Sequence, residues 1–75
     1  MGKERLDAIL AEVKAKAASR SRDADALVYE LEEDAYLLVG DYEGEVREPH
    51  GTMRDVALSA AAAAVALVAL MDEEG

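Results

Sequence analysis

The chain reads as a two-layer α/β (α+β) domain, α-β-β-β-α with an antiparallel three-stranded meander, and three observations predict it. Residues 3–18 repeat their apolar side chains at helical spacing. From Ala26 the period falls to two, the mark of a half-buried strand. Residues 56–71 (VALSAAAAAVALVALM) then form an apolar run whose single polar side chain is Ser59. A chain of 75 residues makes one domain, spanning 1–75, and buries roughly 60% of its unfolded surface.

In the first helix, expected over 3–18, Leu6, Ile9, Leu10, Val13 and Ala17 share one face, while Glu4, Asp7, Glu12, Lys14 and Lys16 lie mostly away from it. The polar stretch from Ser19 to Asp23 ends it. Leu27, Tyr29 and Leu31 alternate with Val28, Glu30 and Glu32, giving a first strand at 26–32. Glu33 and Asp34 make a tight turn that lacks the glycine of the favoured hairpin types. Residues 35–42 (AYLLVGDY) make a central strand, with Gly40 marking a bulge or a close neighbour. Glu43 and Gly44 turn the chain into a charged edge strand at 45–48, a composition that discourages stray pairing. Pro49 stops it. Thr52 and Asp55 then have the spacing of a capping box for a last helix over 53–73.

That last helix carries the main functional expectation. At 100° per residue, Ala57, Ala60, Ala61, Ala64, Val68 and Met71 fall on one side, and Leu58, Ala62, Val65, Ala66 and Ala69 on the other. Both sides are apolar. One sheet and one other helix can cover only one of them, and a long apolar stripe left in water marks an association site. The expected interface between copies is therefore the face around Ala62 and Ala66 or the opposite one around Ala57, Ala61 and Ala64, its candidate residues being Ala57, Ala61, Ala62, Ala64, Val65, Ala66 and Ala69. Alanine adds helix propensity and lets a neighbour approach to the short end of the 8–10 Å interaxial range.

Charge narrows the partners. The chain has 17 acidic and 8 basic residues, a net of −9. Six of the basic residues lie in residues 1–22, against three acids, so a basic first helix is expected against an acidic remainder, within the chain or between copies. Nucleic acid is excluded as a partner, because phosphate binding needs a concentrated basic face. A membrane span is disfavoured: sixteen residues reach about 24 Å against a hydrocarbon core of roughly 30 Å, no Trp or Tyr flanks the run, and Asp72, Glu73 and Glu74 close it. The first ten residues (MGKERLDAIL) have no uninterrupted apolar core, so no secretory signal is read there and a soluble cytoplasmic protein is expected.

No motif carries chemistry. There is no cysteine, and the single histidine, His50, has no conventional second ligand near it, so no zinc site is expected. Glu30, Glu32, Glu33 and Asp34 lack the oxygen spacing of a calcium loop. Ser19, Ser21 and Ser59 lack the surroundings of an activated nucleophile, and no glycine-rich phosphate loop occurs. No cofactor, metal, small-molecule ligand or catalysis is expected.

Two resemblances bear on function. The chain has no Asn, Gln, Cys, Trp or Phe and is dominated by Ala, Leu, Glu and Val, with each segment reading as one element. In this it resembles computationally designed (de novo) symmetric homo-oligomers, which implies a self-assembling structural protein; halophilic origin gives a similar acidic, alanine-rich composition. Leu6-Asp7-Ala8-Ile9-Leu10 followed by Ala26-Leu27-Val28 resembles the opening of the Roadblock/LC7 family. That resemblance implies a helix-strand-strand-helix dimerisation or scaffold module that binds a heterologous protein partner.

Overall fold

The computed structural model describes residues 2–42 and 53–74, and they form three helices: α1 (Lys3–Ala18), α2 (Ala24–Tyr42) and α3 (Met53–Glu74). No strand occurs among the described residues. The α/β class and its three-stranded meander are thereby overturned. The strands expected at 26–32 and 35–42, with the turn between them, are one continuous helix. The edge strand at 45–48, the turns on either side of it, His50 and the Thr52 cap lie outside the described residues.

α1 begins after Gly2 and ends where Ser19 closes it, with both the backbone N–H and the side-chain hydroxyl of Ser19 donating to the Lys16 carbonyl at 3.2 and 2.9 Å. Hydroxyls at this position satisfy carbonyls that a helix end leaves without partners.

Asp23 decides α2. Its carbonyl accepts the N–H of Leu27 at 3.0 Å, the first bond of the helical ladder. Its carboxylate Oδ1 accepts the N–H of Asp25 at 3.0 Å and of Ala26 at 3.5 Å. That is an aspartate N-cap, worth about 1 kcal/mol. Downstream, Leu, Glu and Ala, all strong helix formers, outnumber the β-branched residues. A hairpin here would turn at Glu33-Asp34 without a residue suited to positive φ, and an isolated hairpin is at best marginal in water. The alternation of Leu27, Tyr29 and Leu31 is real, but Leu27, Leu31, Asp34 and Leu38 also recur at i, i+4, i+7 and i+11. This second pattern is the inward one: Leu27 is fully buried and the other three are half-buried, while Tyr29 and Tyr36 are exposed. Gly40, expected at a bulge, is buried within α2.

α3 is the central element. It packs against both α1 and α2, and among the described residues those two do not pack against each other. The result is flattened, with extents of 40 × 33 × 16 Å and a radius of gyration of 13.2 Å, against about 11 Å for a compact chain of this length. The apolar core is correspondingly thin. Among the described residues Val13, Leu27, Val56, Leu58, Ala62 and Ala63 are its buried members, and no polar residue is buried with them.

Candidate functional site: the open face of α3

Around α3, burial is one-sided. Val56, Leu58, Ala62 and Ala63 are buried against the flanking helices, and Ala62 and Ala63 have no exposed surface. Ala57, Val65, Val68, Ala69 and Met71 are exposed, and Ala61 and Ala64 are half-buried. Within this open set, Ala57, Ala61, Ala64, Val68 and Met71 step by 4, 3, 4 and 3 residues, the repeat of a seam between paired helices. Val68 is 55% and Met71 57% exposed, too much apolar surface to be an edge effect. A shallow groove of about 390 Å³ runs along the face, lined by Ala64, Val65, Val68, Ala69 and Asp72.

The residues expected at an interface therefore separate. Ala57, Ala61, Ala64, Val65 and Ala69 lie on or beside the open face. Ala62 is committed to packing within the chain. Ala66 is half-buried and lines a different groove. Leu6 and Leu10 on α1, and Val28, Tyr29, Tyr36 and Val39 on α2, add exposed apolar area that the expected interface did not include. Leu6 and Leu10 share the apolar face of α1 with Val13, but of the three only Val13 is buried. The α2 residues were hidden by the strand reading.

The second groove, also about 390 Å³, lies where the end of α1 and the following loop meet the C-terminal half of α3. Its floor includes Val65, Ala66, Ala69 and Leu70, and its rim holds Lys14, Arg20 and Arg22. Two of these cations are already occupied. Arg20 donates to Glu30 Oε1 of α2 at 2.8 Å and to Ser59 Oγ of α3 at 2.9 Å, stapling the loop to both helices. Arg22 donates to Glu73, and this contact holds the Glu73 carboxyl below its usual range, chiefly through the hydrogen bond and secondarily through the charge. A third ion pair, Arg54 to Glu12 at 3.3 Å, joins the start of α3 to α1. Two of the pairs join an arginine of the loop after α1 to an acid later in the chain, and the third runs the other way, from Arg54 to an acid of α1.

The acidic cluster expected from sequence is dispersed along α2. Glu30 faces Arg20, and Glu32 and Glu33 are exposed. Among the described residues no group of three or more His, Cys, Asp or Glu converges as metal ligands would. Asp34 Oδ2 is buried without a hydrogen-bond partner among the described residues, a local cost on an otherwise leucine-lined stripe.

α3 is also long and apolar enough to cross a membrane. The guanidinium of Arg20 sits against Ser59, within that helix, and a charge at such depth in a bilayer costs about 2.5–3.5 kcal/mol or more. The polar staple suits a helix covered by protein. Comparison with known proteins finds no family, no curated protein and no solved structure that matches the chain.

Proposed function

We propose that the protein is a self-assembling structural module that forms a homo-oligomer through the open face of α3, with assembly rather than catalysis as its role. The observation that carries this reading is an apolar seam left uncovered on the helix at the centre of the fold.

Mass in solution tests the reading. Sedimentation equilibrium of the purified chain, without partners or detergent, is expected to give a defined multiple of the monomer mass. A monomer that stays soluble and fully helical at tens of micromolar would overturn it. Folding only in the presence of a second, different protein would replace it with a heterologous scaffold role.

A further inference from the structure

Two charges bracket the open seam. Arg54 lies in the first turn of α3 and Asp72 in its last, eighteen residues apart. Eighteen residues are about five complete turns, so both project on the same flank of the helix, some 27 Å apart along its axis. Both are exposed, and Asp72 lines the shallow groove beside Ala64, Val65, Val68 and Ala69. Asp72 makes no ion pair among the described residues. Arg54 contacts Glu12 through one of its five N–H donors, which leaves others to reach a second carboxylate.

Orientation follows from these positions. When two helices pair in parallel, equal heights meet, and Arg54 is left about 27 Å from Asp72 of the partner subunit. When they pair antiparallel, the same flank of each helix meets at opposite ends. With a twofold axis near Ala64, Ala57 faces Met71 of the partner subunit, and Arg54 comes within about two residues, or 3 Å along the axis, of Asp72 of the partner subunit. An isologous contact of this kind makes the ion pair twice, once at each end, and sets the two helix dipoles head to tail. Alanines at the centre allow the axes to approach closely.

We infer that the occupant of the open face is a second copy of this chain lying antiparallel on α3, with Arg54 of each copy facing Asp72 of the other. This rests on the self-assembly reading above and adds to it an orientation and a pair of recognition charges. Exposed ion pairs contribute little each, so burial of the seam supplies the affinity and the charges choose the direction.

The absence of cysteine makes the geometry directly testable in the full chain. Ala57→Cys and Met71→Cys variants are oxidised separately and as a mixture. Facing cysteines on closely paired helices come within disulfide reach, about 7 Å between Cα atoms. The mixture is expected to form disulfide-linked dimers, and each variant alone to form few. Efficient linking of Ala57→Cys to itself, with no gain on mixing, overturns the antiparallel arrangement while leaving association intact. A wild-type chain that sediments as a monomer overturns the underlying reading instead, and uptake of that monomer by phosphatidylcholine vesicles would assign the face to lipid.

A charge exchange gives the second readout. Asp72→Arg alone sets like charges together at both ends and is expected to weaken the dimer about fivefold to tenfold. Mixing it with an Arg54→Glu chain places opposite charges at both ends of the mixed dimer, which is expected to form in preference to either parent. Circular dichroism checks that Arg54→Glu, which also loses the Glu12 contact, still folds. A mixed dimer no more stable than the Asp72→Arg dimer overturns the ion pairing.

Discussion

The two long sides of α3 have nearly the same composition and opposite fates. Leu58 and Ala62 are buried within the chain, whereas Ala57, Ala61, Ala64 and Val68 are left open or half-open, although both sets are small and apolar. The difference lies in the neighbours. Among the described residues α1 and α2 flank α3 without meeting each other, so they cover an arc and leave the remainder open. A side chain's own hydrophobicity says that it prefers burial. Where that burial comes from is a property of the surrounding helices.

The sharpest way to break the comparison is to place the same charge on each side. Ala62→Glu inserts a carboxylate where no surface is exposed and no partner waits, and is expected to unfold the domain, a loss of about 3 kcal/mol or more. Loss of the helical circular dichroism signal and of a cooperative melt reads this out. If the variant keeps a wild-type melt, the inner side is not the packed one.

Ala61→Glu, one residue earlier, is expected on the proposed self-assembly to give a smaller species that keeps its helices, because a carboxylate on the open face of a single copy remains in water. Sedimentation velocity paired with circular dichroism separates the two outcomes. Unfolding equal to that of Ala62→Glu would mean that the sides do not differ in role.

A smaller effect sharpens the account of the covered side. Arg20→Ala removes the bonds to Glu30 and Ser59 that tie the loop to α2 and α3, and leaves a half-buried carboxylate without its cation. A destabilisation of about 1–3 kcal/mol is expected in urea unfolding, with oligomer mass unchanged in native buffer. A change in mass at full folding would place Arg20 in assembly instead.

The smallest effect belongs to Glu73 and Arg22, both well exposed. The folded-state pKa of Glu73 lies below its ordinary value of 4.5. Its contribution is therefore present above the unfolded carboxylate range and is lost as pH falls through the lowered folded value. Glu73→Gln should cost little at pH 7 and should slightly reduce the loss of melting temperature on acidification below pH 4. An unchanged acid response would remove this pair from the stability of the C-terminal turn.

How much of this was legible varies along the chain. α1 carries five apolar residues at helical spacing with charges opposite them, and no competing period, so its limits could be read directly. α2 carries two periods at once. The alternation of Leu27, Tyr29 and Leu31 suggested a strand, while the signals that win are the Asp23 cap and the Leu27-Leu31-Leu38 stripe. Asp23 could have been weighed as a helix start. Arg54 and Asp72 were also visible as charges closing an apolar seam, but their shared flank has meaning only once that flank is known to be open.

By itself the sequence determined that residues 56–71 form an apolar helix, that residues 3–18 form another, and that no cluster of cysteine or histidine ligands occurs. These follow from local propensity and periodicity, which a residue carries wherever it is placed. Only the tertiary structure decided that residues 24–42 are a helix, that α3 lies between two helices that do not meet, and that Ala62 faces inward while Ala57 does not. On a helix apolar all round, the angle of burial is set by where its neighbours dock, and a ring of alanines carries no mark of that choice.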